Sequence, residues 1–83
     1  MSAQLKLYVK GWCPWCISVK QFLTKRGYRY EEVDVHRDQA AYDEMIHLSG
    51  QRYTPTLLAG GRVLADFGTG ELEIFLKEHS IHP

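Results

Sequence analysis

The sequence predicts one α/β domain, 1–83, with the order β-α-β-α-β-β-α and a four-stranded mixed sheet flanked by three helices. Three observations carry this. The first half runs from a period-2 segment through a helical stripe to a segment rich in aromatic and β-branched residues; a crossover helix between two strands makes them parallel. In the second half, Gly60-Gly61 separates two short apolar runs, the signature of a hairpin whose strands enter the sheet antiparallel. Finally, 83 residues enclose one modest core and no second one, so every element belongs to the same unit without linker or repeat.

Leu5, Leu7 and Val9 alternate with Lys6, Tyr8 and Lys10, which sets the first strand just before Gly11. Beyond Pro14, the residues Trp15, Val19, Phe22 and Leu23 recur at i, i+4, i+7 and i+8, an amphipathic stripe that Gly27 ends. Tyr28 to Val35 reads as the second strand. Asp38 is suited to cap a second helix, with Ala41, Met45 and Leu48 as its apolar positions and Gly50 as terminator. Thr56-Leu57-Leu58-Ala59 and Val63-Leu64-Ala65 are the hairpin strands. Thr69 is suited to cap the last helix, where Glu71 and Glu73 complement the helix dipole and Leu72, Phe75 and Leu76 face inward. Ser80 to Pro83 is expected to be a loose tail.

Ten Lys plus Arg balance ten Asp plus Glu, so no net positive charge is offered to nucleic acid or to an anionic membrane. With 45% apolar and 24% charged residues, the composition is that of a folded domain rather than a disordered chain. No apolar run approaches the ~20 residues of a membrane-spanning helix, and Met1-Ser2-Ala3-Gln4 lacks the features of a signal peptide. A monomer in the reducing cytoplasm is the expectation.

The chemistry concentrates in Gly11-Trp12-Cys13-Pro14-Trp15-Cys16, which holds both cysteines at a strand-to-helix junction. Pro14 is suited to the first helical position, because it lacks an N–H where none is needed and its φ is already helical. Cys13 is then the N-cap, facing the N–H groups of Trp15 and Cys16 and the positive end of the helix dipole, so its pKa should be lowered. Cys16, one turn in, should stay a thiol until Cys13 has formed a bond that it can attack. Two other readings of this spacing compete. A zinc site needs four ligands, and of His36, His47, His79 and His82 only the last two lie close together, so no metal is expected. A structural disulfide would close too short a loop to restrain the unfolded chain. A redox pair beside a βαβ unit is the favoured reading.

This element order, with Cys-Pro-Trp-Cys at the first strand-to-helix turn, resembles the thioredoxin superfamily, and the short chain is similar to a glutaredoxin over nearly its whole length. Lys10 three residues before Cys13, Gly50-Gln51-Arg52 after the second helix and Tyr53-Thr54-Pro55 before the third strand make the resemblance specific. It implies the thioredoxin fold, glutathione as co-substrate with no tightly bound cofactor, and disulfide-containing proteins as partners. In that family the proline is cis, and the residue before it pairs with the cysteine part of the substrate, a role that falls to Thr54. Pro55 at a strand start also leaves the ladder short of one donor, consistent with an edge that receives a substrate backbone, although an ordinary trans proline fits the position too. Lys10, Gln51 and Arg52 correspond to glutathione-binding positions. Lys10 and Arg52 are suited to a carboxylate, and Lys10 also to the Cys13 thiolate, unless both are plain solvated charges. Trp12 and Trp15 offer either flat contact to a peptide or half-buried packing.

The chain departs from the pattern in two places. Glutaredoxins usually have Tyr or Phe where Trp15 stands. They also carry Gly-Gly, then Ser or Cys, then Asp before the last helix, whose N-terminus holds the γ-glutamyl carboxylate of glutathione. Here the stretch is Ala65-Asp66-Phe67-Gly68-Thr69, so Asp66 and Phe67 border that subsite and Asp66 adds a like charge. The phenylalanine resembles redoxins that serve ribonucleotide reductase and are reduced by thioredoxin reductase. The expectation is thus a dithiol thiol-disulfide oxidoreductase with Cys13 as nucleophile and Cys16 resolving, linked to glutathione. Its alternatives are a redoxin reduced by thioredoxin reductase, or a protein holding an iron-sulfur cluster between two subunits.

Overall fold

The computed structural model describes residues 4–83; the reading of residues 1–3 lies outside them. Its elements are β1 (Leu5–Val9), α1 (Pro14–Lys25), β2 (Tyr30–Asp34), α2 (Gln39–Ser49), β3 (Thr56–Ala59), β4 (Arg62–Ala65) and α3 (Thr69–Glu78), in the predicted order. The sheet runs β2-β1-β3-β4. β1 pairs parallel with β2, from Leu5 opposite Tyr30 to Val9 opposite Asp34. β1 and β4 both pair antiparallel with β3. The thioredoxin fold implied by the resemblance is the observed one.

Alternation along β1 divides the core. Leu5, Leu7 and Val9 face the apolar surfaces of α1 and α3, while Tyr8 points to the opposite face and packs with Val35, Ala41 and Met45 under α2. The nominally polar side of β1 is therefore covered. Tyr8 is wholly buried, and its hydroxyl donates to Glu44, which Lys6 also reaches at 2.9 Å.

Several local expectations need correction. Trp15 is not on the inward stripe of α1 but 64% exposed; the buried positions are Cys16, Val19 and Leu23, spaced i, i+3 and i+7. Cys16 packs there as a small apolar residue, and that phase turns its bulky neighbour outward. Leu48 lies at the rim of the stripe that Ala41 and Met45 bury, and is more than a third exposed. Glu73 is past the first turn of α3, where it meets Arg26 at 3.2 Å and Lys77 at 3.4 Å.

Tyr28 precedes β2 because it completes the end of α1. Its N–H bonds the Leu23 carbonyl (2.9 Å), the Gly27 N–H bonds the Thr24 carbonyl (3.1 Å), and Gly27 has φ +83°. This is a Schellman motif. The supposed tail repeats it: the Ile81 N–H bonds Leu76 (2.9 Å), the Ser80 N–H bonds Lys77 (3.2 Å), and Ser80 has φ +53°. Ile81 is consequently only 6% exposed, and the Tyr28 hydroxyl donates to its carbonyl at 2.8 Å, joining the two helix ends. The segment beginning at Ser80 is anchored rather than loose.

Candidate functional site

Cys13 leaves β1 through the turn at Gly11 and Trp12, with its N–H bonded to the Lys10 carbonyl at 3.1 Å, and it caps α1 as the sequence implies. Its backbone is extended (φ −76°, ψ 117°), Pro14 opens the helix, and Cys13 Sγ accepts the Cys16 N–H at 3.4 Å. Both cysteines are free thiols; Cys13 is half-buried and Cys16 fully buried. Burial opposes ionisation of Cys13, but hydrogen bonds from the Cys16 thiol and N–H, from Thr54 and from the Trp15 N–H outweigh it and hold this thiol below its ordinary range. Burial, only partly offset by Thr54, pushes Cys16 up to about 11, and the neighbouring Cys13 adds to the rise. One sulfur is thus prepared as a thiolate and the other kept protonated.

The Thr54–Pro55 peptide is cis and brings the Thr54 carbonyl oxygen to 3.8 Å from Cys13 Sγ. Thr54 and Pro55 are buried at this junction. The edge expected at Pro55 is not present: β3 lies inside the sheet with a neighbour on each side, and Pro55 precedes its first paired residue, so the missing N–H falls outside the ladder. The Pro55 carbonyl accepts the Asp66 N–H at 3.0 Å, which ties this loop to the end of β4.

The remaining expected residues fall into distinct settings. Lys10 extends its ammonium over the Tyr42 ring, 5.9 Å from the centroid, whereas the groups acting on Cys13 Sγ come from its own helix turn and from Thr54. Arg52 is exposed in the loop before Thr54. Gln51 turns inward and spends its amide on Ser49, Tyr53 and Thr56. Trp12 (59% exposed) stands edge-on to His36 at 4.4 Å and, with Trp15, flanks Cys13. Tyr53, 60% exposed beside Thr54, joins them; no periodicity marks this residue. Phe67 is a core residue, packed with Leu72 and Phe75, while Asp66 is exposed with φ +52°.

The start of α3 differs from expectation. The N-cap is Gly68, Thr69 being already helical, and the Gly68 N–H donates to Glu71 Oε2 at 3.1 Å. A Cβ at residue 68 would lie 3.3 Å from that carboxylate oxygen, which would have to give by a few tenths of an ångström, and at ordinary contact distance, 3.5 Å, from the Trp15 ring. The helix end that the resemblance reserves for a substrate carboxylate is engaged by the protein's own, with Asp66 close by in sequence. Glu71 stands where a capping box puts its acid; a glycine N-cap beside a threonine disguised it. His79 packs on Phe75 at 4.7 Å, and among the described residues no three His, Cys, Asp or Glu side chains cluster as metal ligands.

The comparisons agree with this architecture. The family model described as Glutaredoxin matches residues 5–64. A putative glutaredoxin of Mycobacterium tuberculosis is 31% identical over 75 residues, which cover 88% of this chain and 89% of the relative. The crystal structure of a thioredoxin-like protein, 35% identical, covers 87% of this chain and 99% of its own with a TM-score of 0.79. The glutaredoxin-like NrdH-redoxin of Escherichia coli, at 24% identity, shares the fold with a TM-score of 0.74 over 96% of both chains. By family model, relatives and fold alike, the chain belongs to the glutaredoxin family.

Proposed function

We propose that this protein is a dithiol thiol-disulfide oxidoreductase that reduces protein disulfides and glutathione mixed disulfides through Cys13 and Cys16. One observation carries the reading: a half-exposed thiol with lowered pKa at the N-cap of α1 sits beside a buried thiol raised to about 11. The Cys13 thiolate attacks a substrate sulfur; a Cys13-substrate S–S bond forms, the substrate S–S bond breaks, and the leaving thiolate takes a proton from water. Once Cys13 carries no charge, Cys16 ionises more readily. Its thiolate attacks Cys13 Sγ, forming the Cys13-Cys16 bridge and expelling the second substrate thiolate. The substrate gains two electrons and the protein loses them. Glutathione then returns the bridge to the dithiol, being itself oxidised to its disulfide. This cycle needs a reducing compartment, which supports a cytoplasmic location.

A second reductant is favoured by a specific observation. Glu71 on the Gly68 N–H, with Asp66 nearby, places acidic groups where glutathione's γ-glutamyl carboxylate is expected, which favours a flavoprotein such as thioredoxin reductase. The test supplies the oxidised protein separately with glutathione plus glutathione reductase and with thioredoxin reductase, following NADPH consumption on a small disulfide. Turnover with both, lower with glutathione, is the expected result. Failure of millimolar glutathione to open the bridge would remove glutathione from the proposal. Cys13→Ser should abolish turnover, whereas Cys16→Ser should accumulate a mixed disulfide on Cys13; full activity of Cys13→Ser refutes the redox assignment.

A further inference from the structure

Gln51, which the resemblance assigns to glutathione binding, has a different setting from an exposed ligand contact. Its Oε1 accepts the Tyr53 N–H at 2.5 Å. Its two amide hydrogens are shared among the Tyr53 carbonyl (3.1 Å), Thr56 Oγ1 (3.0 Å) and Ser49 Oγ (3.2 Å). Tyr53 is thereby held at both its N–H and its carbonyl by one side chain. The partners are anchored in turn: Ser49 Oγ donates to the Met45 carbonyl of α2 at 2.7 Å, and Thr56 Oγ1 donates to the Tyr53 carbonyl at 2.9 Å. No amide hydrogen is left for a carboxylate, and each acceptor is part of the protein.

The clasp is aimed at Cys13 through one residue. Tyr53 is fixed on one side and Thr56 on the other, with only Thr54 and the cis Pro55 between them, and Thr54 carries the carbonyl 3.8 Å from Cys13 Sγ. We propose that Gln51 is a positioning residue, an amide clasp between the end of α2 and the start of β3 that sets Thr54 against the Cys13 sulfur. The inference rests on the redox reading of Cys13, and it differs from a ligand contact in what it affects. A group touching glutathione matters for glutathione alone. A group that places Thr54 matters for every disulfide and for the ionisation of Cys13, since the Thr54 side-chain hydroxyl is one of the groups lowering that thiol.

The experiment compares wild type, Gln51→Ala and Thr56→Val with glutathione disulfide, with the neutral hydroxyethyl disulfide, and in a thiolate absorbance titration. Thr56 is fully buried and cannot touch a ligand, so its variant tests the clasp alone. Gln51→Ala should lower kcat/KM roughly tenfold for both disulfides, the loss expected from one or two hydrogen bonds, and raise the Cys13 titration midpoint. Thr56→Val should move the same readouts in the same direction by less. Thermal melting of each variant confirms that the compared proteins are folded. A loss confined to glutathione disulfide, seen as higher KM with the Cys13 midpoint unmoved, makes Gln51 a ligand contact and overturns the proposal. Unmoved midpoints in both variants also overturn it. If wild type reduces neither disulfide, the redox reading fails, and the titration still judges the clasp.

Discussion

Replacing Glu71 by Gln removes one negative charge from the start of α3 while keeping a side-chain oxygen that can accept the Gly68 N–H, now 3.1 Å away. Two consequences are separable. The first-turn carboxylate is exposed, so its favourable interaction with the helix end is screened by water and contributes about 0.3–1 kcal/mol. The variant should lose that much stability. A glutathione carboxylate approaching the same N–H no longer has to displace a charged competitor; recovering the same 0.3–1 kcal/mol corresponds to about a two- to fivefold gain in rate. The assay oxidises the protein to the Cys13-Cys16 bridge, mixes it with glutathione and follows tryptophan fluorescence. Hydroxyethyl disulfide reduction by the dithiol form serves as the uncharged control and should not change. Raising ionic strength to about 1 M, where screening acts within ~3 Å, should shrink the difference between variant and wild type. An unchanged glutathione rate at low salt, with stability lowered as calculated, would refute the idea that Glu71 competes with the substrate. An equal gain on the uncharged disulfide would place the effect on Cys13 itself.

Four further outcomes are expected. Alkylation of Cys13 should rise with pH with its midpoint below 9.0, the usual thiol value, and Cys16 should react only at higher pH. By the same linkage, Cys13 adds stability as pH rises from its lowered pKa to 9.0, and Cys16 withdraws stability between 9.0 and about 11; a flat chemical-denaturation midpoint across both windows contradicts this. Asp66→Asn removes charge but keeps a side chain at φ +52°, whereas Asp66→Gly removes both, so both should speed reduction by glutathione and only glycine should raise the melting temperature. If glycine alone speeds the reaction, backbone strain rather than charge is the cause. Ser80→Gly at φ +53° should stabilise the fold by about 0.5–1 kcal/mol in urea titrations, and a destabilised variant would show that the Ser80 side chain has a compensating role.

The element order and the cysteine cap were legible because they depend on local rules: alternation in β1, Pro14 at the first helical position, and Gly27 and Gly50 with positive φ at helix ends. The anchored C-terminal segment was not legible, although α3 ends by the same motif as α1. A glycine announces the left-handed position in one, and Ser80 conceals it in the other. The phase of α1 was misread because Trp15 offers far more apolar surface than Cys16, while the core takes the smaller side chain. In the candidate site, the cysteines, Thr54 and Pro55 could be placed from spacing and resemblance. The inward turn of Gln51 could not, since it depends on partners brought together by α2 and β3. Glu71 was recognised as a dipole partner but not as the occupant of the N–H that a substrate carboxylate would seek.

The position of β2 at the outer border of the sheet has a bearing on self-association. A border strand presents unpaired backbone groups that another copy's strand can extend, the first step toward aggregates. In β2 those groups run alongside Glu31, Glu32 and Asp34, so a like strand brought alongside would set carboxylates against carboxylates. The large exposed aromatics Trp12, Trp15 and Tyr53 lie elsewhere, around Cys13 and Thr54. Of the two border strands, β2 and β4, the β2 border is thus guarded by its own carboxylates, and an encounter through the aromatic rim leaves it free.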